Sequence, residues 1–81
     1  MTPEALRAIF IEELARVAPD IDPATVRDDD HLQNDLELDS MDFLNLVSAL
    51  HRRLGVDVGE ADYAQLATPG LALPFLLARL G

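Results

Sequence analysis

The stretch Asp35-Leu36-Glu37-Leu38-Asp39-Ser40-Met41-Asp42 puts one serine hydroxyl among four carboxylates. Two chemistries suit that serine, a nucleophile with a base or an anchor modified on its oxygen, and a carboxylate metal site is to be weighed for the nearby Asp28-Asp29-Asp30-His31 run. Position separates them. Asp39 is a good helix N-cap, and Asp42 falls three residues on, as in a capping box with Asp in place of Glu. Ser40 then lies in the first helical turn, where backbone N–H groups lack partners and the helix dipole is positive. An anionic ester on its oxygen would be held where anions are favoured. A loop-to-helix junction also leaves the hydroxyl open to a modifying enzyme and gives an attached group a rigid base. For the Asp-Ser pair taken alone, ordinary capping is the bland explanation.

The other two chemistries fit poorly. His51 is eleven residues along the same helix, about 16 Å along the axis at 1.5 Å per residue, far outside the reach of a base. His31 is in a loop and escapes that argument, but no G-x-S-x-G elbow accompanies Ser40. Asp28-Asp29-Asp30-His31 lacks the alternating ligands, central Gly and terminal Glu of a calcium loop, and reads as a solvated acidic loop. No catalytic residue and no metal site is expected.

The elements that must position Ser40 are helices. Thr2 as N-cap, Pro3 at the first position and Glu4 in the first turn open a helix that Pro19 stops. Leu6, Ile9, Phe10, Leu14 and Val17 form its apolar stripe, with Arg7, Glu12, Glu13 and Arg16 largely off it. Residues 18 to 39 form a long connection, with a helical turn expected at Asp22–Val26. Ile21, Val26, Leu32, Leu36 and Leu38 are expected to pin it over the core. The second helix is predicted from Ser40 to Leu54, burying Leu44, Val47, Leu50 and Leu54 with Leu46 and Ala49 beside them. Arg52, Arg53 and then Gly55 suit its C-terminal end. Val56-Asp57-Val58 looks extended, and Glu60–Leu66 forms a short helix. Thr68-Pro69 opens a last helix to about Leu80, in which Pro74 predicts a kink or a true start near Leu73.

Composition supports an all-α fold. The chain has 81 residues, 49% hydrophobic, and only three Phe and one Tyr as aromatics. This size predicts a single domain over residues 1–81, freestanding, with apolar helical positions used mainly as core. The net charge is −9, with 15 acidic residues against six arginines. Such a surface repels nucleic acid and favours basic protein surfaces. No apolar run is long enough for membrane insertion, and no signal peptide is visible, so cytoplasmic residence is expected. Without cysteine, any thiol chemistry needs a sulfur supplied by a cofactor.

The 35–42 stretch resembles the attachment motif of the acyl carrier protein family, D-L-G-x-D-S-[LM]-D. Six of its eight positions match, Leu38 fills the free one, and Glu37 stands in place of glycine. The order of helices, the Gly55-Val56 ending and the Thr68-Pro69-Gly70 opening also match, so the resemblance covers nearly the whole chain. It implies a four-helix acyl-carrier-like bundle: three main helices, one short helix and a long first loop. It implies 4′-phosphopantetheine on Ser40, added by a phosphopantetheinyl transferase, with acyl groups carried as thioesters on the terminal thiol. Asp39 would support the transferase's metal as well as cap the helix. Asp35, Glu37, Met41, Asp42 and Phe43 would face partner enzymes, such as an acyl-loading enzyme and a ketosynthase or acyltransferase. The protein would be a monomeric carrier and not an enzyme. The outer positions of the second helix (Asn45, Ser48, His51, Arg52, Arg53) are less acidic than the family's usual pattern, which suggests a dedicated partner set.

Two other readings remain at this stage. An aminoacyl or peptidyl carrier also has Asp before its serine. An unmodified acidic helical interaction module would make no special use of Asp39-Ser40-Met41.

Overall fold

The computed structural model describes residues 1–80. Helix α1 spans Pro3–Val17, α2 spans Ser40–Leu54 and α3 spans Pro69–Leu80; a fourth, short 3₁₀ helix spans Glu60–Leu66. No strand is present among the described residues. The Thr2 side chain accepts from the Ala5 amide at 3.1 Å, and Pro3 at the start lacks only an N–H that has no partner there. Gly55, with φ at 71°, ends α2 in the left-handed region, and its N–H donates to the His51 carbonyl.

α1 packs against both α2 and α3, and α3 packs against the 3₁₀ helix. Leu6, Phe10 and Leu14 of α1 meet Leu46 and Leu50 of α2, Leu66 of the 3₁₀ helix and Leu76 of α3, all fully buried. The long connection contributes Val26, Leu32 and Leu38 to this core, with Ile21 and Leu36 half-buried against it. The expected helical turn is a single 3₁₀ turn, Pro23–Thr25, capped by Asp22. Backbone bonds then fasten the connection to the far end of the chain. The Leu32 N–H donates to the Ala67 carbonyl at 2.9 Å, and the Gly70 N–H donates to the Asp28 carbonyl at 2.8 Å. A loop this long is thus held by apolar anchors and by two backbone bonds to the segment that opens α3.

Three local expectations change. The buried face of α2 is Phe43, Leu46, Val47, Ala49 and Leu50, whereas Leu44 is 43% exposed and Leu54 only half-buried. The cause is Phe43, whose ring meets Tyr63 of the 3₁₀ helix edge to face at 5.4 Å. Position 43 lies about 100° around the helix from position 44, so burying it leaves Leu44 at the rim while Val47 and Leu50 stay inside.

Glu13, expected off the stripe of α1, is buried at 5% exposure. Arg53 explains it: its Nη1 donates to Glu13 at 3.1 Å and to Glu12 at 2.8 Å, tying α1 to α2. A buried carboxylate is tolerated when paired in this way.

α3 opens at Pro69, as the Thr68-Pro69 pair predicts, and only the alternative start near Leu73 fails: Pro74 lies inside the helix. Its first turn is closed without residue 74: the Ala72 N–H donates to the Thr68 carbonyl and the Leu71 N–H to Thr68 Oγ1. The carbonyl that Pro74 deprives of a donor belongs to Gly70, which is exposed and within reach of water.

Candidate functional site

Ser40 is the first residue of α2 and is exposed. Its position is set from both sides. Behind it, the Leu38 side chain is buried and the Leu38 N–H donates to the Leu32 carbonyl at 3.0 Å. Ahead of it, Asp39 Oδ1 accepts the Asp42 N–H at 2.7 Å and the Asp39 carbonyl accepts from Phe43. The cap is one-sided, since no return bond from the Asp42 side chain accompanies it. The N–H groups of Ser40 and Met41 find no protein acceptor among the described residues, so two donors remain beside the Ser40 oxygen.

The acidic residues near Ser40 have unequal tasks. The Asp35 carboxylate accepts the His31 N–H at 2.7 Å and closes the loop. Glu37 carries a φ of 61°, which accounts for glycine at this place in the motif. Asp39 caps, and Asp42 is half-buried. Met41 is 66% exposed next to Ser40. Phe43, expected to face a partner, is buried at 7% exposure because Tyr63 claims it; Leu44 takes the outward place instead.

A cleft of about 480 Å³ opens beside Ser40. Phe43 and Leu44 of α2, His31 and Leu32 of the connection, and Tyr63 and Ala67 line it together with Ser40. Gln33 and Glu60 add polar groups. His31 is held in one tautomer: its Nδ1 accepts from the Gln33 and Asn34 amides at 3.2 and 3.1 Å, so the ring hydrogen sits on Nε2. Sequence reasoning left His31 open as a neighbour of Ser40 and missed Tyr63 and Glu60. The connection, α2 and the 3₁₀ helix meet through tertiary packing, and only the Phe and Tyr types gave a signal that an aromatic pair was available.

His51 is engaged elsewhere. Its Nδ1 lies 3.0 Å from Asp57 Oδ1 and 3.3 Å from the Val56 carbonyl, at the opposite end of α2 from Ser40. In the acidic loop, Asp28 pairs with Arg7, Asp29 with Arg27, and Asp30 accepts the Arg27 N–H. Among the described residues no group of three or more His, Cys, Asp or Glu side chains is arranged to hold a metal ion. No helix among them is long and apolar enough to cross a membrane.

A family model described as a phosphopantetheine attachment site matches residues 4–71. The chain belongs to the phosphopantetheine-attachment family. That match runs from the first turn of α1 through the Thr68-Pro69-Gly70 opening of α3. The protein is therefore a phosphopantetheine-carrying carrier, and 4′-phosphopantetheine is its covalent cofactor. As a carrier it meets a phosphopantetheinyl transferase and biosynthetic enzymes. The N-terminal end of α2 fits the group: an exposed hydroxyl, two unpartnered N–H donors for a phosphodiester, and an open cleft alongside.

Proposed function

We propose that Ser40 is the attachment residue and that the chain, acting as one carrier domain over residues 1–81 in the cytoplasm, tethers acyl intermediates for biosynthetic enzymes. The observation that carries this reading is the exposed Ser40 hydroxyl on the first residue of α2, beside free backbone donors. When bound, the arm supplies a thiol on which cargo is held as a thioester, chemistry that a chain without cysteine cannot provide itself. Asp39 fixes the helix end that bears Ser40, and its exposed position suits support of the transferase's metal. The Ser40 and Met41 N–H groups orient the anionic linkage. Phe43, Leu44 and Ala67 offer apolar wall to the first part of a cargo, within the size range of ligand clefts.

The mechanism is tethering: a carried intermediate meets each enzyme at high effective concentration, and the chain performs no bond chemistry of its own. Fatty acid, polyketide and specialised lipid assembly all use this logic. The D-S-M-D form of the motif and the net charge of −9 favour acyl cargo over aminoacyl or peptidyl cargo.

The test is intact mass after incubation with coenzyme A and a phosphopantetheinyl transferase. The wild-type chain and Ser48→Ala gain the arm, and Ser40→Ala does not. A gain by Ser40→Ala would overturn the assignment.

A further inference from the structure

His31 is tied into the turn at 31–36 through its backbone and its ring together. Its N–H donates to the Asp35 carboxylate at 2.7 Å, and its carbonyl accepts the Asp35 and Leu36 N–H groups at 2.8 and 3.1 Å. Its Nδ1 accepts the Gln33 and Asn34 amides at 3.2 and 3.1 Å. With Nδ1 facing the turn, the Nε2–H lies on the opposite edge of the ring. That group has no protein acceptor among the described residues. The residue is half-buried and lines the cleft that also borders Ser40. The turn uses Nδ1 alone, and Asn, Asp or Ser would close it as well. The Nε2–H is thus a donor of fixed direction with no task in the turn. Tyr63, held edge to face against Phe43, lines the same cleft, and its hydroxyl makes no hydrogen bond among the described residues. Glu60 adds an exposed carboxylate.

We infer that His31 is a positioning residue for the arm, its Nε2–H donating to an amide carbonyl of the 4′-phosphopantetheine and holding that arm in the cleft between tasks. The inference rests on the attachment reading above. Ser40 borders the cleft, so the arm is the first chemistry to reach it, and cargo starts only at the far thiol. The arm alternates short apolar stretches with amides, and each amide carries one carbonyl acceptor and one N–H donor. The cleft answers both, with donors on His31 and Tyr63, a carboxylate acceptor on Glu60, and apolar surface from Phe43 and Leu44. A plain alkyl chain would use only the last of these. The His31 donor needs no ordering at the moment of binding, because the bonded turn already fixes its ring in the bare chain. One neutral hydrogen bond is a weak hold, which suits an arm that must leave for each enzyme.

The test compares nuclear magnetic resonance spectra of the chain with and without the arm, carrying no cargo. On attachment the Nε2 nitrogen of His31 should shift, while the ring of His51, paired with Asp57 at the other end of α2, should not. Cross-peaks should join the arm's methyl protons to the Tyr63 ring. His31→Asn keeps an acceptor for the Gln33 and Asn34 amides but lacks the outward donor. Those two amides should therefore keep their protection from exchange while the cross-peaks weaken roughly five-fold. An unmoved His31 signal, or full-strength cross-peaks in His31→Asn, overturns the inference. The nitrogen shift is read in the wild-type chain, so it decides even where His31→Asn loses the turn. Cross-peaks that appear only once a cargo is bound overturn it too, by making cargo the occupant. Failure of the wild-type chain to accept the arm at Ser40, seen by intact mass before any spectrum, overturns the attachment reading, and this inference with it.

Discussion

Glu37 holds a backbone conformation, φ 61°, that a side chain with a Cβ adopts at a cost of about 1–2 kcal/mol. The chain must turn there because Leu38 has to enter the core while Asp39 leaves it to cap α2. Glycine would adopt the same conformation without that cost but would lose more freedom on folding. The difference predicts that Glu37→Gly stabilises the protein by about 0.5–1 kcal/mol, measured as a shift in the urea midpoint. A destabilisation would mean that the Glu37 side chain makes an interaction worth more than the strain. Ser40 is untouched by that change, so arm attachment should proceed as in the wild type. The left-handed turn positions Ser40, the proposed attachment residue; it takes no part in the chemistry.

At the scale of elements, the Thr68-Pro69-Gly70 opening of α3 does two jobs. Thr68 and Pro69 start the helix, and Gly70 brings its backbone against Asp28. A Cβ on Gly70 would lie 2.9 Å from the Asp28 carbonyl oxygen, a contact with backbone that cannot swing aside. Gly70→Ala is therefore predicted to destabilise by about 1–3 kcal/mol, read from chemical denaturation. It should also loosen the 28–36 connection, raising amide exchange at Leu32. Unchanged stability would contradict the close approach. The three main helices and their caps were readable from sequence because the signals are local: Thr2, Asp39, Gly55 and Thr68 each act within four residues. Ser40 at the start of α2 was readable for the same reason. What escaped was set across the chain. Position 43 rather than 44 faces inward because Tyr63 lies opposite, and nothing within α2 encodes that neighbour. Glu13 is buried because Arg53, forty residues away, reaches it. α3 survives Pro74 because Thr68 already satisfies the preceding turn.

For the whole molecule, charge is the dominant feature, and most of its arginines are spent inside it. Arg53 joins α1 to α2 through Glu12 and Glu13. Its hydrogen bond, and then its charge, hold the Glu12 carboxyl below the usual carboxylate range. A depressed pKa in the folded state means stability that is present above the unfolded value and lost as pH falls through the folded one. The stability gap between wild type and Glu12→Gln is predicted to be full at neutral pH. It should close on acidification below the ordinary carboxylate range, as followed by urea unfolding at stepped pH. A gap that stays constant into acid would show that the pair contributes by packing alone. Arg52 stands outside this internal pairing among the described residues.

The central claim is that Ser40 anchors the arm, and site localisation by tandem mass spectrometry tests it most directly. The chain has two serines, Ser40 at the start of α2 and Ser48 in its middle, both exposed. After reaction with coenzyme A and a transferase, fragments should place the whole phosphopantetheine mass on Ser40. Modification found on Ser48 or on a threonine, with Ser40 unmodified, would contradict the account.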